Sequence, residues 1–288
     1  MVDYAPNAMR EKVVVITGAT SGIGEVAADR LAQKGARIVF VARDRARGEE
    51  MRKHLRAIAG HAEHTVHYAD LSRLSEMKRV AEAIAVTEPQ IDVLINNAGA
   101  LFTHREVTDD GLERTFALNH MSYFVVTNLL LDRLRATPGG RIVSTASDAH
   151  KGKRLRFDDL QSAHGYSGFA VYGRTKLMNI LFTRELARRL AGSGVTANCL
   201  HPGFVSTRFG DRSGGFMSLA VRIAKNFAIT PEQGAETIIY LASSPAVEGK
   251  SGGYYYKCKP DTPSRAGQND TDSARLWEIS AKISGVGF

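Results

Sequence analysis

Val13-Val-Val-Ile-Thr-Gly-Ala-Thr-Ser-Gly-Ile-Gly24 passes from four apolar β-branched residues through three spaced glycines into a periodic apolar pattern. Such a run reads as a buried strand, a tight turn and the first turn of a helix. Glycine permits the turn and lets backbone N–H groups approach a pyrophosphate, while the helix N-terminus adds favourable potential. Gly18, Thr20, Ser21, Gly22, Ile23 and Gly24 are the candidate binding positions. The first two glycines stand farther apart than in the GxGxxG dinucleotide fingerprint. A strand-to-helix turn without ligand is the alternative reading of the glycines alone.

Outward from this turn, strand-length apolar runs alternate with helical periodicity. Strands are expected at Val13–Ile16, Arg37–Ala42, Thr65–Ala69, Val93–Asn96, Arg141–Ser147 and Val195–Leu200. Helices are expected at Ile23–Lys34, Arg45–Ala57, Leu74–Thr87, Leu112–Arg135 and Phe169–Ala191. A helix at Pro231–Ala242 and a short strand near Tyr254–Tyr256 close the sheet, and the tail turns helical around Ser273–Ile283. Near-continuous apolar strands separated by helices indicate an α/β, Rossmann-like, doubly wound parallel sheet with helices on both faces. Its 288 residues suit a single domain, with residues 1–11 as a flexible N-terminus. Two long stretches, Asp148–Ser167 and a substrate-loop segment over residues 204–229, follow strand C-terminal ends, the edge where ligands bind.

Composition narrows the class. Hydrophobic residues at 43% and charged residues at 24% are ordinary for a folded globular chain. The net charge of +8 is spread among acids, with no interleaved aromatic and basic residues, so a nucleic-acid partner is not expected. No apolar run approaches the ~20 residues of a membrane span. The first residues lack a signal-peptide core, which points to the cytoplasm. Two cysteines are too few for a disulfide framework; both read as reduced, with Cys199 in the core. No metal site is expected.

The end of the second strand bears on cofactor choice. An acid there holds a ribose 2′-hydroxyl, whereas an arginine accommodates a 2′-phosphate. Ala42 stands where the acid would be, followed by Arg43 and then Asp44. Arg47, one turn into the helix, either faces the same phosphate or is a solvated surface residue. NADP(H) is therefore favoured over NAD(H).

Tyr172-Gly-Arg-Thr-Lys176 opens a helical pattern, and spacing of four places tyrosine and lysine on one face. A nearby ammonium, together with the positive nicotinamide ring of an oxidised cofactor, favours phenolate and draws a phenol with pKa ≈ 10 towards the working range. A second pair, Tyr255 and Lys259, falls in a strand-like run closed by Pro260, where residues four apart lie ~13 Å from each other. That pair reads as structural. Ser147, ending the fifth strand, is placed to donate a hydrogen bond to a substrate oxygen.

In order along the chain, Thr17-Gly-Ala-Thr-Ser-Gly-Ile-Gly24, Asp70-Leu71, Asn96-Asn-Ala-Gly99, Asn119, Ser147, Tyr172-x-x-x-Lys176 and Pro202-Gly203 resemble the short-chain dehydrogenase/reductase family. The resemblance covers nearly the whole chain. Within the family, Asn119-His-Met-Ser-Tyr-Phe, Phe157-Asp-Asp-Leu160, Leu181-Phe-Thr-Arg-Glu-Leu-Ala-Arg-Arg-Leu190 and Leu200-His-Pro-Gly203 are most similar to the retinol dehydrogenase group. It implies that Asp70 and Leu71 border the adenine pocket and that Asn97, Ala98 and Gly99 flank the cofactor. It also implies that Asn119 holds a water in a relay through Lys176, and that Pro202, Gly203, Val205 and Thr207 border the nicotinamide.

The chemistry expected is hydride transfer between nicotinamide and the carbonyl or alcohol of an apolar small molecule. Tyr172 would move the proton, and Ser147, Lys176 and Asn119 would assist. Leu101, Phe102, Phe204, Phe209, Phe216 and Met217 either line an apolar pocket or pack the 204–229 segment. The resemblance implies that helices Leu112–Arg135 and Phe169–Ala191 form the surface of a homo-oligomer; their apolar residues read equally as ordinary core. Two other readings share the fold: a non-enzymatic NADP(H)-sensing scaffold, and reduction of a carbon–carbon double bond.

Overall fold

The computed structural model describes residues 8–204 and 229–288. Eight strands form one sheet in the order β3-β2-β1-β4-β5-β6-β7-β8. They are β1 (Val13–Thr17), β2 (Arg37–Ala42), β3 (Thr65–Tyr68), β4 (Val93–Asn96), β5 (Arg141–Thr145), β6 (Thr196–Leu200), β7 (Tyr254–Tyr256) and β8 (Lys259–Asp261). All neighbours pair in parallel except β7 and β8.

Alternation along the strands divides the core. Val14 and Ile16 of β1 and Ile38 and Phe40 of β2 join a cluster with α1 (Gly22–Gln33), α2 (Arg45–Ile58) and α7 (Pro231–Ser243). Val15, Val39 and Val41 point the other way, into a cluster with α3 (Leu74–Thr87), α5 (Ser122–Arg135) and α6 (Gly168–Arg189). Strands buried on both faces need apolar residues at odd and even positions alike, which is why the runs are continuous. A C-terminal helix, α8 (Asp270–Ser284), lies over α6. There Trp277 stacks on Phe182 (centroids 5.9 Å apart) and meets Phe124 edge-on at 4.9 Å.

Three expectations are corrected. The fifth strand ends at Thr145, so Ser147 lies beyond it, as the N-cap of a 3₁₀ turn at Asp148–His150. The helix expected from Leu112 starts with a single turn, α4 (Arg114–Phe116), capped by the Glu113 carboxylate. It then widens to a π turn at Ala117–Met121 before continuing as α5. Pro260 does not close the β7 segment. Lys257 and Cys258 both take positive φ (47° and 60°), the signature of a two-residue hairpin turn, and Pro260 pairs with Tyr255 in β8. All three β8 residues are exposed.

Candidate active site

The strand order β3-β2-β1-β4-β5-β6 reverses its sense between the parallel neighbours β1 and β4, and sheets of this kind bind ligands in the crevice at the strand C-terminal ends beside such a point. Thr17, the last residue of β1, closes its base. Its Oγ1 accepts from the backbone N–H groups of Asn97 (3.0 Å) and Ala98 (3.1 Å). Asn97 in turn donates from Nδ2 to the Gly18 carbonyl at 3.1 Å. Gly18 has φ +72°, and a Cβ there would lie 2.9 Å from Ala98 Cα. Gly24 sits directly against the Gly18 carbonyl and the Asn97 amide. The glycines therefore serve close backbone packing as well as the turn.

Thr20, Ser21, Gly22 and Ile23 carry the chain from β1 into α1. Ser21 stands at the N-cap, yet its hydroxyl makes no cap hydrogen bond to the helix. A serine that could cap but does not leaves first-turn N–H groups without that partner. This opening fits a phosphate.

At the end of β2, Arg43 and Arg47 are exposed. Asp44 is the N-cap of α2 and accepts from Arg47 N at 3.0 Å, so its carboxylate is engaged by the helix. Asp70 accepts from Ser72 N (3.0 Å) and Oγ (2.8 Å). Burial pushes the Asp70 carboxyl up, but these bonds together with the Arg43 and Arg114 charges outweigh it and hold the group below its ordinary range. Leu71 beside it is buried.

Lys176 is buried, with Nζ donating to the Thr145 carbonyl at 2.9 Å. The ammonium lies over the rings of Tyr172 and Tyr123, at 5.6 and 5.7 Å from their centroids. The spacing of four thus stacks lysine beneath tyrosine on α6. Burial pushes the lysine pKa down to about 7. Burial drives the Tyr172 phenol up to about 12, against a hydrogen bond with Ser147 that pulls it down. Part of the Tyr172 side chain stays accessible, so solvent tempers this rise.

Ser147 Oγ accepts from Ala149 N at 3.2 Å. Asn119, inside the π turn, has its side chain fully engaged. Oδ1 accepts from Ala100 N, and Nδ2 donates to the Ala100 carbonyl and to Thr175 Oγ1. Gly99 faces this pair: a Cβ there would lie 3.2 Å from Asn119 Oδ1 and 3.5 Å from Lys176 Nζ. Pro202 and Gly203 follow β6, with Gly203 at φ +90°. Val205 and Thr207 lie outside the described residues, as do Phe209, Phe216 and Met217. Phe204 is exposed, and Phe102 sits under the Arg114 guanidinium at 4.3 Å.

Sequence reasoning gives no role to Thr17, Thr145 or Asn179. The Asn179 amide donates to the same Thr145 carbonyl as Lys176, at 3.3 Å. Its place one turn after Lys176 on the same helix face is the signal that points to it.

A sequence profile described as short chain dehydrogenase matches residues 12–214. The chain belongs to this family. It is an oxidoreductase of the short-chain dehydrogenase family, whose members bind a nicotinamide cofactor. It is 41% identical to human retinol dehydrogenase 14, across 98% of this chain and 88% of that protein. Among solved structures it is similar to an uncharacterized protein from Mycobacterium paratuberculosis, at 33% identity and TM-score 0.78, covering 97% of this chain and 95% of the other. It is also similar to L-sorbose reductase from Gluconobacter frateurii, solved with NADPH and L-sorbose. The identity there is 25% and the TM-score 0.69, over 86% of this short-chain dehydrogenase and 95% of the reductase. Among the described residues, no helix is long and apolar enough to cross a membrane.

Proposed function

We propose that the chain is an NADP(H)-dependent oxidoreductase that interconverts a carbonyl and an alcohol on an apolar small molecule, with Tyr172 exchanging the proton. The observation that carries this reading is the Ser147–Tyr172 hydrogen bond above a buried Lys176. The cofactor supplies or accepts the hydride. Gly18, Thr20, Ser21, Gly22, Ile23 and Gly24 would hold its pyrophosphate, and Asp70 and Leu71 its adenine. Asn97, Ala98, Gly99, Pro202 and Gly203 would flank the ring end.

Tyr172 donates its proton to the carbonyl oxygen during reduction and recovers it during oxidation. The Ser147 hydroxyl offers a second hydrogen bond to that oxygen and orients it. Lys176 places positive charge beneath the phenol ring whenever it is protonated, which offsets the charge left on oxygen. Asn119 braces the loop at Ala100 against α6. The 2′-phosphate preference rests on Ala42, on exposed Arg43 and Arg47, and on the commitment of Asp44 to its helix. The likeness to retinol dehydrogenases supports an apolar aldehyde or ketone as substrate.

Tyr172→Phe tests the chemistry. Turnover of NADPH with a panel of retinal, nonanal and benzaldehyde should fall by about 10²-fold or more, with NADPH affinity nearly unchanged. Unchanged turnover would refute the role of Tyr172. NADH working as well as NADPH would overturn the cofactor preference. A product with its carbonyl intact and a double bond saturated would replace the reaction. Absence of NADPH oxidation across the panel, with binding retained, would favour a sensing protein.

A further inference from the structure

His150 is fully buried at the end of the 3₁₀ turn that Ser147 caps. Both ring nitrogens are engaged. The backbone N–H of Ser264 donates to Nε2 at 3.0 Å, which makes Nε2 the acceptor and leaves the ring proton on Nδ1. Nδ1 then donates to the Ser147 carbonyl at 2.7 Å. The edge of Tyr254 closes the pocket, with its ring centroid 5.5 Å away. Burial favours the neutral ring, although the hydrogen bond to the Ser147 carbonyl and the charges of Asp148 and Asp261 push the other way. Ser264 opens the 3₁₀ turn Arg265–Gln268, and Gly267 packs on Leu177 and Ile180 of α6, just after Lys176. The imidazole thus ties the main chain of Ser147 to the C-terminal segment and, through it, to the helix carrying Tyr172.

We propose that His150, as the neutral Nδ1–H tautomer, is a positioning residue that sets the Ser147 hydroxyl relative to Tyr172, and that residues 264–268 belong to the site's scaffold. The inference rests on the reading of Ser147 given above. It goes beyond that reading in extending the site to a segment that carries none of its reacting groups. Two directed hydrogen bonds from a rigid ring fix a main-chain carbonyl better than packing alone, and small misplacement of a reacting group costs rate steeply.

The test is a double-mutant cycle on the full chain with NADPH and whichever of retinal, nonanal or benzaldehyde it reduces fastest. His150→Ala should lower kcat by about 10- to 100-fold, with KM for the aldehyde and affinity for NADPH nearly unchanged. His150→Asn keeps a donor where Nδ1 stands and should restore most of kcat. In a Ser147→Ala background, His150→Ala should cost nothing further. Equal losses in both backgrounds, or an Asn variant as impaired as Ala while folded by circular dichroism, would overturn the proposal. If Ser147→Ala alone leaves kcat intact, the role of Ser147 fails instead. The link itself is read without turnover, by ¹H–¹⁵N correlation of the imidazole. A proton on Nδ1 and slow exchange of the Ser264 amide are expected; a proton on Nε2 would sink the idea.

Discussion

Tyr172 and Lys176 show burial and charge acting against each other. Their spacing suggests that lysine lowers the phenol pKa. In the folded site burial pushes the phenol up, towards about 12, and the ammonium down to about 7, the rise of the phenol being tempered by the part of Tyr172 that stays accessible. The phenol is therefore protonated through the neutral range and stands ready as a donor. Alcohol oxidation, which needs the deprotonated form, should speed up as pH rises from 7 to 10, while carbonyl reduction should stay level or decline. Steady-state rates in both directions across that range test this sign, and an oxidation rate that fell with rising pH would contradict it.

Another buried group, His120, makes a pH-dependent contribution to stability. Its Nε2 lies 2.9 Å from Ser280 Oγ, and burial pushes its pKa down to about 3 from an ordinary value of 6.5. Below 6.5 the unfolded chain takes up a proton that the native state refuses, so stability is complete above that value and drains away as pH falls towards 3. This histidine alone should remove about 2 kcal/mol between pH 7 and pH 5. Urea titrations at the two pH values give the total, and His120→Gln should reduce the difference.

At the scale of elements, the junction of β1 with β4 depends on one hydroxyl. Thr17→Val keeps the shape but leaves two part-buried backbone N–H groups without their acceptor, at a cost of about 1 kcal/mol for each. Thermal unfolding should show the loss, and affinity for the dinucleotide should weaken with it. Unaltered stability and binding would mean that water replaces the hydroxyl there.

The strand–turn–helix run and the helical Tyr–Lys spacing are legible in the sequence because both are local patterns. The β8 hairpin is not. Its turn is made by Lys257 and Cys258 rather than the usual Asn or Gly, and Pro260 reads as a terminator. The bond from Ser264 to His150 joins residues 114 apart, and no periodicity announces such a contact. Ser147 lies past the strand end because its side chain caps the next turn, a choice its residue type permits but does not dictate.

At the scale of the whole molecule, α8 covers the aromatic pair Phe124 and Phe182, with Trp277 packed against both. Arg189 stacks on the outer side of that indole, 4.6 Å from its centroid. Trp277→Ala should destabilise the fold by about 3–5 kcal/mol, through lost burial and the cavity left behind. Circular dichroism in urea measures this. The same covering bears on assembly: α5 and α6, expected to meet a second copy, spend part of their apolar surface on the chain's own helix. Retained stability in the variant would show that α8 is only lightly docked.

The exposed β8 ribbon carries a different implication. A sheet margin invites another backbone to zip onto it, and proteins discourage that with brevity, charge and missing donors. Here the margin is three residues long and reads Lys-Pro-Asp. Stacking of molecules strand-to-strand is disfavoured on this flank, which leaves the β3 side as the more permissive margin for fibrillar growth or swapping.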